Sequence, residues 1–326
     1  MTNTLTIERT SANADADAPK PATRRRKPND RAPWEEPPTP VGQAAKGLTL
    51  GVVLLIMVVP LWIVVVTSLS TQAAVTRAGG LVIWPDGITF EAYRVMLEDV
   101  TVRNALLVSL GITAVGTLVS MAVSIMCAYG LSRSRSFAHR FLLTLLIITM
   151  FVNGGLIPTF LVVTGLGGYG AWWSLILPSA ISVFNILVLR AFYSSTSTDL
   201  IEAARIDGAG DWRILWSIVM PTSRAVTAVI ALFYGVGYWN AFFNVMLYMP
   251  TDSEKWPLQY VLLTYVNRGN GMPGSINSGF GTAFSQTAPL SLQMAVVVLT
   301  LVPLLIVYPF VQKHFRTGVL TGAIKG

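Results

Sequence analysis

The chain alternates between long apolar runs and shorter polar segments. The apolar runs cover residues 48–69, 105–131, 141–166, 171–192, 225–249 and 289–311. A helix needs about 20 residues to cross the roughly 30 Å of hydrocarbon in a bilayer, and each run is longer than that. Prolines in or near these runs predict kinks or helix ends at Pro158, Pro178, Pro303 and Pro309. The pattern therefore predicts an all-α membrane protein with six transmembrane helices.

The composition agrees with this prediction. Hydrophobic residues make up 53% of the chain and charged residues 12%, whereas a soluble domain carries about a quarter charged residues. The mean hydropathy is +0.59. The single cysteine, Cys127, lies inside an apolar run, so it excludes an intrachain disulfide and a cysteine-based metal cluster and is expected to pack as a small apolar side chain.

Lysines and arginines are distributed unevenly between the two sides of the predicted helices. If the N-terminus lies inside the cell, only Arg77, Arg94, Arg103, Lys255 and Arg268 lie outside, and the other 18 of the 23 lie inside. Basic residues near span ends tend to remain cytoplasmic, so both termini and the loop between the fourth and fifth spans are predicted to be cytoplasmic. The net charge of +7 then reflects topology and contact with anionic membrane lipid, not nucleic-acid binding.

The first 45 residues differ in composition from the rest of the chain. They are rich in alanine, aspartate, threonine and proline, with a basic cluster at residues 24–27, which is typical of a disordered cytoplasmic tail. A signal peptide would place an apolar stretch close behind its charged start, so the first span is interpreted as an uncleaved anchor. The basic cluster either retains the tail in the cytoplasm or binds lipid. Residues 46–326 are predicted to form the transmembrane domain.

Two outer loops contain apolar residues at helical spacing. In the first, these positions are Phe90, Tyr93, Met96 and Leu97. In the second, Pro257 is placed to start a helix whose apolar face holds Leu258, Val261, Leu262 and Tyr265. Such helices are expected to lie at the membrane interface or to meet an external partner, and periodicity alone favours the interface.

Motifs of catalysis and cofactor binding are missing from the sequence. Residues 165–170 fit the dinucleotide pattern Gly-x-Gly-x-x-Gly but lack the preceding buried strand and the following soluble helix, so they are predicted to form an outer turn. No phosphate-binding loop is present. The two histidines, His139 and His314, belong to no recognised metal or nucleophile motif. We therefore expect no cofactor, no metal site and no catalytic residue in this chain.

The polar segment between the fourth and fifth runs, residues 194–223, is predicted to begin with a short helix. Asp199 is placed to cap a helix over residues 200–206, and Glu202 is placed to reach back to the cap as in a capping box. Gly208 is placed to end this helix, because glycine adopts the left-handed conformation at low cost.

A second short helix is predicted after the bend. Asp211 is placed to cap it, and it is expected to stop near residues 220–221. Its apolar face is predicted to consist of Trp212, Leu215, Trp216 and Val219. The segment as a whole is predicted to fold as helix, bend and helix on the cytoplasmic side.

Two interpretations of the first helix remain open from the local sequence. Glu202 explains its position if it acts only as a capping partner, and Ala203 and Ala204 are simply good helix formers. Alternatively, a short helix with small exposed side chains is suited to insertion into a cleft on a partner protein.

The same segment resembles the cytoplasmic "EAA" coupling loop of ABC import permeases. That motif consists of Glu-Ala-Ala, three residues, Gly, and about nine residues to an apolar-proline pair. The matching positions in this chain are Glu202, Ala203, Ala204, Gly208, Ile218 and Pro221. In that family the loop fits a groove on the ATP-binding subunit, so the resemblance implies that Glu202, Ala203, Ala204 and Gly208 dock on an ATPase.

The resemblance extends over roughly residues 48–326. The segments 153–159, 173–178, 237–240, 308–313 and 322–326 look like the carbohydrate-importing branch, the relatives of the smaller maltose permease subunit, and among these the oligosaccharide permeases. This resemblance implies the ABC type I importer fold and a location in a bacterial cytoplasmic membrane. It also implies several partners: a homologous second permease, two copies of an ATP-binding subunit, and an extracytoplasmic sugar-binding protein.

The fifth run combines aromatic and amide side chains. They are Tyr234, Tyr238, Trp239, Asn240, Phe243 and Asn244. Sugar pockets mix aromatic faces with amide donors and acceptors, so these residues are candidates to line the substrate path. Two other interpretations remain, because tyrosine and tryptophan also form interfacial belts and asparagine also joins helices.

Three rival functions are weighed against oligosaccharide import. The first is an ABC importer permease for another small polar solute, which the loop fits equally well. The second is a secondary transporter, which is expected to carry intramembrane carboxylates or broken repeats, but no Asp or Glu lies inside the six runs. The third is a purely structural scaffold, which does not require the Gly208 bend or the polar aromatic fifth run.

Overall fold

The computed structural model describes residues 39–133, 138–152, 154–196, 198–268 and 289–322. These residues are helical, apart from turns and one isolated antiparallel bridge between Ser70 and Ile88. The chain divides into two compact units, residues 1–57 and 58–326. The described part of the first unit is the beginning of a helix that starts at Pro40, within the segment assigned to the tail, and residues 1–38 lie outside the described ranges.

Fifteen α-helices are described, three of them of only three or four residues. They are α1 (Pro40–Ser68), α2 (Gln72–Arg77), α3 (Glu91–Glu98), α4 (Val100–Ser132), α5 (His139–Phe151), α6 (Leu156–Gly165), α7 (Trp173–Ile176), α8 (Val183–Ser194), α9 (Thr198–Ile206), α10 (Asp211–Ile214), α11 (Met220–Thr222), α12 (Arg224–Trp239), α13 (Phe243–Tyr248), α14 (Leu258–Arg268) and α15 (Pro289–Gly322). Leu177–Ser179 and Ser253–Lys255 form 3-10 turns, and Leu215–Val219 is π-helical.

Three helices are long and apolar enough to cross a membrane without a break: α1, α4 and the Leu290–Pro309 part of α15. Three further spans are formed only if two helices on either side of a break are taken together. These are α5 with α6, Trp173–Ser179 with α8 at a bend of 53°, and Asp211–Thr222 with α12 at a bend of 87°. By length and composition, the described residues thus hold three candidate spans, or up to six.

The structure shows where the prolines lie in the helices and where the fifth apolar run is interrupted. Pro158 lies in the first turn of α6, and Pro178 lies in the 3-10 turn between α7 and α8, so both mark helix ends. By contrast, α15 continues through Pro303 and Pro309. The fifth run was predicted as one segment, and this is wrong because α12 ends at Trp239 and a separate helix, α13, follows.

The long helix α4 packs against both α8 and α12. Its buried face carries Gly116, Ser120 and Ser124. A Cβ atom at Gly116 would come within 2.8 Å of ring atoms of Tyr238 on α12. In lipid there is little hydrophobic force between helices, so small residues that permit close approach and hydroxyls that bond across the contact stabilise the packing.

The two predicted outer helices are present as α3 and α14. In α3 the buried residues are Ala92 and Met96, whereas Phe90 and Leu97 are exposed. Helix α14 buries Leu258 and Val261 and packs against α4 and α15. Its first amide, Leu258 N–H, donates to Ser109 Oγ on α4 at 2.7 Å, so α14 is joined to the helix packing.

The glycine-rich segment 165–170 is a turn between α6 and α7, as predicted. Gly167 adopts a φ of +78°. Gly170 N–H donates to the carbonyl of Tyr248 at 2.9 Å, and Lys255 Nζ donates to the carbonyl of Gly170 at 2.9 Å. The turn is therefore fixed to the segment that follows α13.

Candidate functional site

The cytoplasmic-loop candidate is an exposed helix that ends in a sharp bend. Helix α9 ends at Ile206, and the bend follows at Gly208, whose φ is +78°. Ala209 N–H donates to the Ala204 carbonyl at 2.9 Å, and Gly208 N–H donates to the Arg205 carbonyl at 3.0 Å. This pair of bonds is the Schellman motif, which requires a left-handed residue at the position Gly208 occupies. The predicted end of the helix is thus confirmed, with its backbone carbonyls satisfied.

Both predicted capping residues lie inside their helices. Because α9 begins at Thr198, Asp199 lies in its first turn and not at the cap. The residue before α10 is Gly210, which makes no side-chain capping bond, and Asp211 is the first helical residue. The predicted cap at Asp211 is wrong because its carboxylate bonds to side chains elsewhere, described below.

The four predicted docking residues lie on the surface of the loop. Glu202, Ala203 and Gly208 are exposed, and Ala204 is half-buried. Beside them Ile206 is 87% exposed, although it is a large apolar residue at the end of the helix. The loop therefore presents small and apolar side chains at its surface, while the exposed Glu202 carboxylate lies on the side of α9 that faces α4.

The four residues of the predicted apolar face after the bend differ in burial. Leu215 and Val219 are buried, whereas Trp212 and Trp216 are 63% and 56% exposed, and Ile214 is buried as well. Residues Leu215–Val219 are π-helical, so the α-helical spacing on which the predicted face was built does not hold beyond Ile214.

The loop contacts the end of α4 through a cluster of polar side chains. The Asp211 carboxylate accepts from the Arg133 guanidinium, and Arg205 lies 3.7 Å from the same carboxylate oxygen. Tyr129 donates its hydroxyl to the Asp211 carbonyl at 3.0 Å and accepts from Arg133. The guanidinium carbon of Arg133 also lies 4.4 Å from the centroid of the Tyr129 ring.

A cavity of about 700 Å³ lies between helices α9 and α4, beside this cluster. Its walls include Glu202 and Arg205 from α9, Met126 and Tyr129 from α4, and Leu215 beyond the bend. Neither the role of Tyr129 nor the ion pair between Arg133 and Asp211 was predicted from the sequence. The available signal was the position of Arg133 directly after an apolar run, which does not reveal its partner.

The tyrosines of the fifth run are buried between helices. The Tyr234 hydroxyl lies 2.7 Å from Ser124 Oγ, and the Tyr238 hydroxyl lies 2.8 Å from Ser120 Oγ, so both bond to α4. Each also bonds to the backbone of the broken fourth span, at Ser182 N and Ile176 O respectively, both at 3.1 Å. Both tyrosines therefore join α12 to two other elements.

Trp239 is likewise buried at the end of α12. Its Nε1–H donates to the Thr300 carbonyl on α15 at 3.0 Å. Phe243, the first residue of α13, is exposed. The three largest polar aromatic candidates of the fifth run, Tyr234, Tyr238 and Trp239, thus have their polar atoms bonded to protein groups.

The two asparagine candidates are more accessible than the aromatic ones with polar atoms. Asn240 is exposed, donates to the Val236 carbonyl at 2.9 Å and accepts from Gln259 Nε2 at 3.2 Å. Asn244 is half-buried and donates to Ser179 Oγ at 3.1 Å. Ser179 lies at the break in the fourth span and Asn240 at the break after α12, so amide and hydroxyl groups gather where helices are interrupted.

Among the residues that the structure describes, no group of three or more His, Cys, Asp and Glu side chains is placed to hold a metal ion. The single cysteine, Cys127, is a free thiol that is half-buried on α4.

Known proteins match most of this chain. Residues 120–321 match the family described as the binding-protein-dependent transport system inner membrane component. The polygalacturonan/rhamnogalacturonan transport system permease YtcP of Bacillus subtilis is 41% identical over 83% of this chain and 94% of its own length. Protein LplC of the same organism is 37% identical over 86% of this chain and 93% of its own.

A solved structure is similar over nearly the same length. It is a chain of a bacterial ABC transporter involved in the import of the acidic polysaccharide alginate, with a TM-score of 0.79 and 30% identity. The match covers 87% of this chain and all of that chain. The sequence and structural similarities thus cover the helices on which the α9 loop and the polar groups of the fifth run lie.

Proposed function

The chain belongs to the family of binding-protein-dependent transport inner membrane components, and we propose that it is a permease subunit of an ATP-driven importer of an oligosaccharide. The observation that carries this proposal is the exposed α9 helix with its Schellman bend at Gly208, in a chain similar to a polygalacturonan/rhamnogalacturonan transport permease and to a chain of an alginate importer.

The proposed protein spans the bacterial cytoplasmic membrane six times, with both termini in the cytoplasm. The support is the count of up to six candidate spans and the excess of lysine and arginine on the side of the α9 loop. The basic residues Arg133, Arg190, Arg205, Arg213 and Arg224 all belong to that side.

Glu202, Ala203, Ala204 and Gly208 are the proposed contacts with a separate ATP-binding subunit. Three of them are exposed, and the fourth is half-buried. Since the chain has no phosphate-binding loop, ATP hydrolysis is assigned to two copies of that subunit. When the ATPases close, α9 moves, and the spans attached to it alternate between outward and inward access.

A second, homologous permease is proposed to complete the transport path. Helix α5 has no buried residue, and α6 has only Val163, so both leave apolar faces for a neighbouring permease or for lipid. An extracytoplasmic binding protein is proposed to deliver the sugar, in agreement with the family's description.

The fifth-span candidates divide into two proposed roles. Asn240 and Asn244 are proposed to offer amide groups to sugar hydroxyls, because they are the accessible members and lie at helix breaks. Tyr234, Tyr238 and Trp239 are proposed to shape the path from behind, since their own polar atoms bond to protein groups.

The test is sugar-stimulated ATP hydrolysis by the complete complex in proteoliposomes. Oligosaccharides of galacturonate, rhamnogalacturonan and mannuronate, with a neutral maltooligosaccharide for comparison, are offered with the cognate binding protein. We expect one of the polysaccharide fragments to stimulate hydrolysis, and Glu202→Lys and Gly208→Asp each to abolish the stimulation. Glu98→Gln, which removes an exposed carboxylate from α3, is the control.

Normal stimulation in both loop variants would reject the docking role. Stimulation by a small non-sugar solute, and by none of the oligosaccharides, would favour an ABC importer permease with another substrate.

A further inference from the structure

The docking loop is covalently continuous with only two of the main helices. It follows α8 on one side, and on the other it continues through Asp211–Thr222 into α12. Helix α4 packs against both α8 and α12 but has no chain connection to the loop. A movement of α9 therefore reaches α4 either indirectly, through helix packing, or through a direct contact.

The direct contact is the cluster at Asp211. Its carboxylate bonds to Arg133, and its carbonyl accepts from Tyr129. Tyr129 lies in the last turn of α4 and Arg133 directly follows that helix, while Asp211 is the first helical residue after the Gly208 bend. Two side chains at the end of α4 thus hold one residue of the loop, through its side chain and its backbone.

The cluster differs from an isolated surface ion pair because Arg133 is largely buried and several groups contact one another. The Arg133 side chain is 22% exposed and packs its guanidinium over the Tyr129 ring at 4.4 Å, whereas Asp211 is 68% exposed. An isolated exposed ion pair contributes little to stability. Here the Arg133 guanidinium, the ring and hydroxyl of Tyr129 and the carbonyl of Asp211 hold one another in place. Arg205, one turn from Glu202 on α9, lies 3.7 Å from the same carboxylate and extends the cluster to the docking helix.

The cavity leaves room for α9 to move against α4. About 700 Å³ separates the face of α9 that carries Glu202 and Arg205 from the face of α4 that carries Met126 and Tyr129. Packed interiors transmit displacement directly because they contain few voids. Asp211 contacts Arg133 and Tyr129 at the edge of this cavity, where α4 and the loop touch directly.

We propose that Asp211, Arg133 and Tyr129 form a link that transmits the movement of the docking loop to α4, and that they are positioning residues for the coupling of ATP hydrolysis to transport. This inference rests on the proposed docking of α9 on an ATPase. Two neighbouring bonds, Arg190 Nε to the Leu131 carbonyl at 2.8 Å and Ser194 Oγ to the Ser132 carbonyl at 3.4 Å, join α8 to the same end of α4 and do not involve Asp211.

The test compares sugar uptake with ATP hydrolysis in proteoliposomes that contain the complete transporter and its binding protein. The probe is the labelled oligosaccharide that stimulates the unmodified complex most. Asp211→Asn and Arg133→Met each remove the ion pair while keeping the approximate size of the side chain. We expect the number of sugars imported per ATP hydrolysed to fall at least about fivefold, the lower end of the usual coupling between two sites, in complexes that assemble normally.

Rescue and non-additivity distinguish transmission from a structural role. Asp211→Glu keeps the charge and is expected to retain most of the import per ATP. The double variant is expected to be no worse than either single one, because both remove the same link. The matched control is Glu98→Gln, which breaks an exposed ion pair with Arg94 inside one helix and thus separates no two elements.

An unchanged ratio in Asp211→Asn, or single effects that multiply in the double variant, would overturn the link. If Glu202→Lys abolishes the stimulation while Asp211→Asn keeps the normal ratio, the docking role stands and only the link is rejected. If Glu202→Lys also behaves normally, the docking proposal itself fails.

Discussion

Gly116 on α4 lies against the Tyr238 ring of α12, and its missing side chain leaves room for that ring. A Cβ atom there would come within 2.8 Å of three ring atoms of Tyr238. The ring is poorly placed to withdraw, because its hydroxyl bonds to Ser120 and to the Ile176 carbonyl. We expect Gly116→Ala to cost about 1–3 kcal/mol of stability by overpacking, measured as a lower Tm of the protein in detergent.

Gly111 supplies the control for that prediction, because it lies on the same helix and a Cβ atom added to it would meet nothing within 4 Å. Gly111→Ala is expected to leave the Tm unchanged or to raise it, since alanine favours the helix by about 1 kcal/mol. Equal Tm losses in the two variants would show that glycine itself, and not the contact with Tyr238, matters on this helix.

Asp211 shows that the local sequence does not reveal the distant partner of a side chain. Asp211 is well placed by its local sequence to cap a helix, yet its carboxylate bonds to Arg133, a residue 78 positions away. Local capping and a distant ion pair compete for the same oxygen atoms, and only the packing of α4 against the loop decides between them. The end of α9 at Gly208 was predictable, because a left-handed glycine and its two hydrogen bonds are local.

At the scale of elements, the apolar runs were predictable because the thickness of the bilayer sets their length. The positions at which these runs are interrupted were less predictable. The division of the fifth run after Trp239 and the π-helical segment Leu215–Val219 carry no strong local signal, since both depend on contacts with other helices. Trp212 and Trp216 are exposed, although an α-helical period placed them on one face with Leu215 and Val219, which are buried.

Asn244, in the first turn of α13, donates to Ser179 Oγ at the break in the fourth span, at 3.1 Å. If these groups serve sugar hydroxyls, Asn240→Ala and Asn244→Ala should each lower the maximal rate of uptake about threefold or more, the equivalent of one lost hydrogen bond. Uptake is measured in proteoliposomes with the binding protein in excess, so that delivery of the sugar does not limit the rate.

Asn104→Ala removes an exposed asparagine near the start of α4 and is expected to leave uptake unchanged. A normal maximal rate in both Asn240→Ala and Asn244→Ala would remove these residues from the proposed path, and the fifth span would then serve helix packing alone.

At the scale of the whole molecule, orientation decides whether the loop can meet an ATPase at all. The charge distribution assigns Arg77 to the outside and Arg140 to the cytoplasm. Arg77 is the last residue of α2, and Arg140 lies in the first turn of α5; both are exposed. Cys127 is the single native cysteine, so Cys127→Ser gives a background in which one introduced thiol can be followed.

In that background we expect a membrane-impermeant maleimide to label Arg77→Cys in right-side-out vesicles and Arg140→Cys only in inside-out vesicles. The physical reason is that the charged reagent does not cross the hydrocarbon core, so each thiol reacts only from its own side. Labelling of Arg140→Cys in right-side-out vesicles would show that the topology is the reverse of the predicted one. The α9 loop, on the same side as Arg140, would then face away from cytoplasmic ATP, and docking on an ATPase would be excluded whatever the resemblance of its sequence.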